Sequence, residues 1–178
     1  PYFRNKLDGP IKWSSQFELP FKQRIQVIDL LKFGNDAYGS SHPRFRWERT
    51  FSAQDLENAL AELEPRIFNP NKVAVLQRGN SGRVLALEIS AGNLEAPVVL
   101  RLDAIRRYLR RLPSTLFIVE KVDDGNWRFL GGGFGHGVGL SQAGAIDLAR
   151  RGWTTEQILG HYFPDSDFAP LPDFRNSL

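Results

Sequence analysis

The sequence contains no cysteine and no methionine, only three histidines, and no long apolar run. Without cysteine, the chain cannot form disulfides, thiolate metal sites or cysteine nucleophiles. His42, His136 and His161 are too few and too dispersed to indicate a zinc site. No stretch approaches the roughly 20 apolar residues that a helix needs to span a bilayer. The sequence therefore predicts no transmembrane segment, no metal and no cofactor.

The numbers of charged residues narrow the function only slightly. The chain has 23 Lys and Arg residues against 20 Asp and Glu residues, a formal net charge of +3, which does not indicate a nucleic-acid partner. Its 178 residues, 42% of them hydrophobic, predict one globular domain with a real core. Clustered arginines are typical of solvated faces, with a polyanionic partner as the alternative. The clusters are Arg44, Arg46 and Arg49, and Arg106, Arg107, Arg110 and Arg111.

Apolar periodicity predicts short helices and a strand in the first half of the chain. Residues 21–33 predict one helix, whose apolar residues are Ile25, Val27, Ile28 and Leu31. Alternating polarity predicts a half-buried strand, with one face formed by Phe45, Trp47 and Phe51. Ser52 then predicts the N-cap of a helix that runs to Pro65. Its inward residues are Leu56, Leu60 and Leu63.

The middle of the chain predicts antiparallel strands. Residues 72–77 and 83–90 flank a four-residue turn at 79–82 and predict a hairpin, with a third strand near 98–100. Asp103 is expected to cap a short helix whose arginines face solvent. The inward residues of that helix are Ile105, Tyr108, Leu109 and Leu112. Two more strands are expected, at 115–122 and 126–130.

Two helices are predicted after the glycine-rich segment 131–142. The first begins at Ser141 or Gln142 and ends at Gly152. The second begins with a capping box formed by Thr154 and Gln157. Hairpin strands with interspersed helices predict an α+β fold. We expect a mixed, largely antiparallel sheet with short helices, and a glycine-rich loop that leads into the two C-terminal helices.

The segment from Gly131 to Gln142 reads Gly-Gly-Gly-Phe-Gly-His-Gly-Val-Gly-Leu-Ser-Gln, so half of it is glycine. Each glycine in regular structure costs about 0.5–1 kcal/mol of conformational entropy. So much glycine therefore indicates backbone that adopts unusual dihedral angles or lies close to a ligand. His136, at the centre, can exchange protons near neutral pH. The alternative for His136 is a structural role in which it bonds the backbone nearby.

Phosphate and serine chemistry fit this segment poorly. A phosphate-binding P-loop needs a Lys-Ser/Thr pair, which is missing. Residues 139–143 resemble the nucleophile elbow of serine hydrolases, but glycines replace the hydrophobic strand that must precede the serine. A helix N-cap is therefore the prediction for Ser141.

Carbohydrate binding fits the glycine-rich segment better. Sugar hydroxyls and N-acetyl amides suit exposed backbone, the imidazole of His136 and the amide of Gln142, and either Phe134 or Trp153 could stack on a pyranose. Cleaving a glycosidic bond also needs a carboxyl group that protonates the leaving oxygen. Four glutamates are candidates, although each is more typical of a surface or strand face. They are Glu48, Glu88, Glu95 and Glu120.

Several segments resemble the SpoIID/LytB family, which comprises stage II sporulation protein D and the amidase enhancers. The C-terminal signature of that family resembles residues 134–145, 149–152 and 158–164. Its His-Gly-Val-Gly-x-Ser-Gln core is specific, and Leu140 replaces the usual methionine. Four further segments agree in order, so that the likeness covers most of the chain. They are Pro1 to Arg4 with Asp8, residues 46–56, residues 81–84 and residues 105–109.

The resemblance implies a peptidoglycan-active protein outside the cytoplasm, in the periplasm or cell envelope. The sporulation members are lytic transglycosylases that act on glycan strands stripped of stem peptides. They cleave between N-acetylmuramic acid and N-acetylglucosamine without water and leave 1,6-anhydro products. Other members enhance cell-wall amidases, so a non-catalytic peptidoglycan-binding module or an amidase enhancer is the alternative. The implied partners are glycan strands and a cell-wall amidase.

The family's catalytic glutamate belongs to an N-terminal segment that nothing in this sequence matches. Because the chain has no methionine and begins at Pro1, we expect it to be a fragment of a longer protein that supplies the glutamate upstream. Within the shared motif, His136 is expected to support catalysis, whereas His161 is expected to be structural. The expected substrate-binding residues are Phe134, Gly135, Gly137, Gly139, Ser141 and Gln142.

Overall fold

The computed structural model describes residues 6–167 and has an α+β fold, as the sequence predicts. Short helices alternate with two small antiparallel sheets. In chain order the elements are α1 (Ile11–Ser14), α2 (Arg24–Phe33), β1 (Arg46–Ser52), α3 (Ala53–Leu60), β2 (Pro70–Arg78), β3 (Val84–Ala91), β4 (Val98–Arg101), α4 (Asp103–Tyr108), β5 (Phe117–Asp123), β6 (Asn126–Gly132), α5 (Gln142–Arg150) and α6 (Thr155–Tyr162).

The first sheet carries the start of the glycine-rich segment. Its strand order is β1-β6-β5, so β6 is hydrogen-bonded on both sides. Gly131 pairs with Trp47 of β1 and with Phe117 of β5. The sequence predicted that the last strand ends at Leu130, but β6 continues through Gly132. The segment therefore leaves the sheet from a fixed central strand.

The second sheet is the predicted hairpin with its third strand, in the order β2-β3-β4. The turn at 79–82 is closed because Gly79 N–H donates to the carbonyl of Arg83 (2.8 Å). The central strand β3 is the most buried, with Leu87 and Ile89 inaccessible to solvent. Arg83 follows this turn and directly precedes β3.

Local capping chemistry confirms three predicted helix starts. Ser52 and Asp55 form a capping box at α3, and Thr154 and Gln157 form another at α6. The hydroxyl of Ser141 accepts a hydrogen bond from the N–H of Gly144 at the start of α5. These bonds satisfy N–H groups that a helix leaves unpaired at its first turn.

The main hydrophobic cluster lies between the two sheets and is closed by α3 and α4. Trp47 and Trp127 belong to it, at 8% and 1% exposure, so both are core residues. Phe51, Phe117 and Phe129 pack edge to face in the same cluster, with ring centroids 5.1–5.3 Å apart. A second cluster joins α1 and α2 to the first sheet through Ile118.

Four predictions about the helices are wrong in detail. Ile25 is 55% exposed, because α2 turns Val27 and Leu30 inward instead. The helix after Ser52 ends at Leu60, which leaves Leu63 46% exposed. The other two errors concern α4.

The N-cap of α4 is Leu102, with φ +50°, and Asp103 is the first helical residue. On the same helix Arg106 is half-buried, whereas the sequence predicted that all its arginines face solvent. The short helix α1 was not predicted. The resemblance at Pro1 to Arg4 lies outside the described residues.

Candidate functional site

The glycine loop, residues 133–140, connects β6 with α5. It begins above Trp47, whose indole N–H donates to the carbonyl of Gly133 (3.0 Å). Gly131 has no room for a side chain, since a Cβ there would overlap the Trp47 ring. A core tryptophan therefore holds the first residue of the loop.

The segment 113–116 anchors the loop from one side. Gly132 N–H donates to Leu116 O (3.0 Å), and Gly135 N–H donates to Pro113 O (2.9 Å). The buried hydroxyl of Ser114 donates to Gly132 O (2.7 Å). Together with the bond from Gly133 N–H to Phe45 O (3.0 Å), these bonds fix the backbone at the start of the loop.

Every second residue of the loop, from Gly133 to Gly139, has a left-handed backbone conformation. Gly133, Gly135, Gly137 and Gly139 all have positive φ, between +72° and +85°. The side chains of the intervening residues, Phe134, His136 and Val138, are exposed. The resulting surface has an apolar ring, an imidazole and an isopropyl group separated by bare backbone. Glycine at alternate positions is what allows this path, because other residues pay about 1 kcal/mol or more for positive φ.

The ring of His136 is bonded on one side only. Its Nδ1 accepts a hydrogen bond from the N–H of Val138 (3.1 Å). In the neutral imidazole the proton is therefore on Nε2, which is a donor at the exposed edge of the loop. The bond at Nδ1 is the structural role that the sequence offered as the alternative for His136. Nε2 has no such bond and can contact a ligand.

Phe134 projects between two arginines. The Arg44 guanidinium lies 4.5 Å from the ring centroid and that of Arg106 lies 6.0 Å away. The ring is nevertheless 59% exposed. An exposed ring next to two cations offers a ligand both an apolar face and positive charge. The sequence predicted Phe134 but neither arginine.

Arg83 lies beneath the loop. A Cβ at Gly137 would overlap the Arg83 guanidinium, so the side chain occupies space that only glycine leaves open. Burial, together with repulsion from Arg106, lowers the pKa of Arg83 to about 10. Its Nη1 is buried and has no hydrogen-bond partner. The resemblance included residues 81–84, and that was the only sequence signal for this arginine.

The end of the loop joins a polar cluster formed by Asp8, His161 and Tyr162. The Asp8 carboxylate is 3.0 Å from His161 Nε2 and accepts from the Tyr162 hydroxyl (2.9 Å). Lys6 donates to the carbonyl of His161. Burial and the adjacent carboxylate raise the pKa of Tyr162, so its hydroxyl stays protonated and donates. These bonds join the N-terminal segment to α6, which supports the predicted structural role of His161.

Ser141 and Gln142 stand at the start of α5. The Ser141 hydroxyl already accepts the capping bond from Gly144, and Gln142 is exposed. Gly144 lies so close to Tyr162 and Asp8 that a Cβ there would overlap the phenol oxygen. Ser141 therefore helps to position α5, and substrate binding by Ser141 and Gln142 stays a prediction. Trp153, the other ring considered for stacking, is half-buried against Tyr38 and His161.

The candidate carboxyl groups do not gather at the loop. Lys72 holds the pKa of Glu88 below its ordinary value, and Arg128 and Arg24 do the same for Glu120. Both therefore stay ionised at neutral pH and are poor proton donors. Glu48 and Glu95 are exposed. None of these four glutamates is hydrogen-bonded to the glycine loop.

No helix between residues 6 and 167 combines the length and apolar character required to cross a membrane. In this part of the chain, no three His, Asp or Glu side chains come together in a way that could hold a metal ion.

Two comparisons with known proteins bear on this chain. The family model described as "Domain of unknown function (DUF8618)" matches residues 1–139, which include the glycine loop up to Gly139. An uncharacterized protein of Brachyspira hyodysenteriae is 28% identical over 123 residues, which cover 68% of this chain and 32% of that protein. The chain thus spans about a third of the length of this curated relative.

Proposed function

The chain belongs to the DUF8618 family, and we propose that its glycine loop binds the glycan strands of peptidoglycan, as in a SpoIID-like protein. One observation carries this proposal. Phe134, His136 and Val138 form an exposed row on a loop whose inner side is fixed by hydrogen bonds to residues 113–116. A surface that is rigid but open suits a long polymer rather than an enclosed small molecule.

The chemistry of the loop matches that of amino sugars. The exposed Phe134 ring can pack against the C–H groups of a pyranose, and the Nε2–H of His136 can donate to an acetamido or ether oxygen. The bare backbone at Gly135 and Gly137 lets a sugar approach closely, because no Cβ stands in its way. Few side chains then need to be ordered when the strand binds, which lowers the entropic cost of binding.

For the full-length protein we propose lytic transglycosylase activity. A carboxylic acid would protonate the glycosidic oxygen of the N-acetylglucosamine that leaves. The C6 hydroxyl of N-acetylmuramic acid would close on C1 and return its proton to the carboxylate, so no water is consumed. In this proposal the acid is a glutamate outside this chain. His136 is a positioning residue, since its Nε2–H can orient the acetamido group of the bound sugar.

The second candidate is a non-catalytic module that binds glycan and enhances a cell-wall amidase. The observation in its favour is that none of the four candidate glutamates is hydrogen-bonded to the loop. Both candidates require export to the cell envelope, because peptidoglycan lies there. Fractionation of cells that express the full-length protein tests that requirement, and a protein confined to the cytoplasm would contradict both.

Digestion of purified glycan strands by the full-length protein separates the two candidates. We expect products that end in 1,6-anhydro-N-acetylmuramic acid, detected by mass spectrometry. If no anhydro products form but an added amidase releases stem peptides faster, the enhancer function replaces the enzyme. If neither occurs and the strands do not bind, the peptidoglycan proposal fails.

Binding to glycan strands tests the loop directly. We expect Phe134→Ala to weaken the affinity about fivefold or more, since stacking of an aromatic ring supplies about 1 kcal/mol or more. Phe68→Ala is the matched control, because Phe68 is 68% exposed and follows α3 on a different part of the surface. Equal affinities of the two variants would show that Phe134 is not part of the binding surface.

His136 needs a pair of variants, because its ring also closes the loop. Asn places an oxygen near the position of Nδ1 and can keep the bond from Val138, but it has nothing at Nε2. Ala removes both functions. If Nε2 contacts the ligand, His136→Asn weakens binding nearly as much as His136→Ala. If the role is only structural, His136→Asn binds like the unaltered chain.

A further inference from the structure

We propose that the free edge of β2 binds an extended, acidic segment of another protein, which pairs with β2 as an added strand. This edge borders a groove of about 270 Å³. Residues 73–78 of β2 line one side of the groove, and Lys22, Arg24 and Val119 complete its lining. No lining residue belongs to the glycine loop, so the inference does not rest on the proposed function.

β2 has a hydrogen-bonded neighbour on one side only. The strand order β2-β3-β4 makes it an edge strand, and its register with β3 is regular from Lys72 to Val75. About half of the main-chain N–H and C=O groups of such a strand point away from the sheet. Across residues 6–167, one hydrogen bond from outside this sheet reaches the β2 main chain, from Lys22 Nζ to Arg78 O (3.2 Å). The other outward groups can therefore pair with an added strand.

β2 differs from the other edge strands of the two sheets. Exposed edges are commonly shortened or charged, because a long apolar edge pairs readily with other chains. β4 has only four residues, and charged side chains occupy the centres of β1 and β5. β2 is the longest described strand, with nine residues, and its centre from Val73 to Leu76 has no charge. Of the described edges, β2 is therefore the one that best fits a partner strand.

Apolar side chains beside the groove remain partly uncovered. Val73, Val75 and Val119 pack against the main hydrophobic cluster but are only half-buried. Leu76 is 50% exposed. Alternate residues of an added strand would lie on the same face of the sheet as Val73 and Val75, because side chains of a strand alternate between two faces. β-Branched residues at those positions would cover the exposed parts of these valines and enlarge the core.

The charge of the groove favours an acidic partner. Its lining includes three cations, Lys22, Arg24 and Arg78, and no carboxylate. Lys22 is exposed and forms no ion pair among residues 6–167. Arg24 pairs with Glu120 (2.7 Å), but Glu120 also pairs with Arg128 (2.9 Å), so this group keeps a net positive charge. A carboxylate that enters the groove therefore meets cations and no competing acid in the lining.

The positions of these groups define the partner more closely. Lys22 bonds the carbonyl of Arg78, the last residue of β2, so this cation lies at one end of the edge. The added strand should therefore carry an aspartate or glutamate at that end and β-branched residues beside Val73 and Val75. Residues 73–78 span about 17 Å as a strand, which matches a segment of about six residues. Main-chain pairing would supply affinity, and the side chains would supply specificity.

The experiment selects peptides from a random octapeptide library on the immobilised 178-residue chain. We expect enriched peptides to combine alternating β-branched residues with Asp or Glu near one end. A synthetic copy of an enriched peptide is then added to the chain in solution, and hydrogen exchange of the main-chain amides is measured. Outward-facing amides within residues 72–77 should exchange at least about tenfold more slowly with the peptide bound. No enrichment, enrichment of basic peptides, or protection confined to other segments would overturn the proposal.

Changes to the peptide separate strand pairing from charge alone. N-methylation of alternate amides removes donors that pair with β2, and two such peptides cover both possible registers. We expect one of the two to bind at least about tenfold more weakly. If both bind like the unmodified peptide, no strand is added and the proposal fails. If sodium polyphosphate displaces the peptide and N-methylation has no effect, the groove is a site for polyanions instead.

Variants of the chain assign the acidic preference to the groove. Lys22→Glu and Arg24→Gln should each weaken peptide binding, the first about fivefold or more, because repulsion replaces attraction. Lys12→Glu is the matched control, since Lys12 is exposed on α1 and does not line the groove. If both groove variants bind the peptide like the control, the proposal fails, and if one does not fold, the other decides. Phe134→Ala should keep peptide binding, so this proposal and that of glycan binding fail separately.

Discussion

The guanidinium of Arg83 lies against the backbone of Gly137, in space that any Cβ would occupy. The two residues are far apart in sequence and belong to different elements. Their contact explains why one glycine of the loop serves two purposes. Gly137 adopts positive φ, at +72°, and it also leaves room for a buried cation. The loop and the arginine therefore belong to one structural unit.

Substitution of two loop glycines should separate these purposes. Gly135→Ala meets only the backbone cost, since nothing lies within 4 Å of its Cβ position and φ is +85°. Gly137→Ala meets a similar cost and also displaces Arg83. We expect both to lose about 1–2 kcal/mol of unfolding free energy in urea. Only Gly137→Ala also displaces Arg83, so its loss should be the larger of the two, and equal losses would disprove the coupling.

Replacement of two buried arginines by methionine should change the unfolding free energy differently. Arg78→Met leaves the carbonyls of Gly82 and Phe117 without donors, so we expect a loss of about 2–3 kcal/mol. Arg83→Met removes an unpaired charge from a buried position, and we expect no loss or a gain of up to about 1 kcal/mol. Urea unfolding of both variants measures this. A loss of more than about 1 kcal/mol for Arg83→Met would show that Arg83 stabilises the fold despite its unpaired donor.

Asp147 should make the stability of the protein depend on acid pH. Arg151 lowers the pKa of its carboxyl group, and the N–H of Gly39 adds a smaller effect in the same direction. A lowered pKa means that the stabilisation is present above the unfolded value, about 3.9. It is lost as pH falls through the folded value.

Asp147→Asn tests this dependence. We expect it to lose about 0.5–1 kcal/mol at pH 7 and almost nothing near pH 2, because the carboxylate is partly solvated. Unfolding curves at several pH values provide the measurement. Asp36→Asn, at an exposed loop position, is the control and should change stability little at either pH. A constant difference between Asp147→Asn and the unaltered chain at all pH values would rule out the charge as the cause.

The hydroxyl of Tyr162 should stabilise the docking of α6. It donates to the Asp8 carboxylate at 2.9 Å, and Tyr162 is only 7% exposed. We expect Tyr162→Phe to lose about 1–2 kcal/mol, the worth of a partly solvated hydrogen bond to a charged group. Tyr108→Phe is a matched control on α4, and it should change the unfolding free energy by less than half as much. Similar losses in both would show that the Asp8 bond contributes little.

Much of the fold follows from local sequence. Ser52, Ser141 and Thr154 were predicted as N-caps, and each makes its bond to an N–H three residues on. The alternation of Trp47 and Phe51 predicted an inward face, because side chains of a strand alternate between two sides. Such patterns act over a few residues, so they can be read without knowing the rest of the fold.

The sequence by itself determined the strands, the helix starts and the unusual glycine content that marks the loop. Only the tertiary structure placed Arg83 under Gly137, turned Arg106 toward Phe134 and joined Asp8 to His161 across 153 positions. These contacts depend on how the two sheets and the chain ends pack. Burial and charge at such contacts have no local periodicity, and a cation without a partner is recognisable only when its surroundings are known.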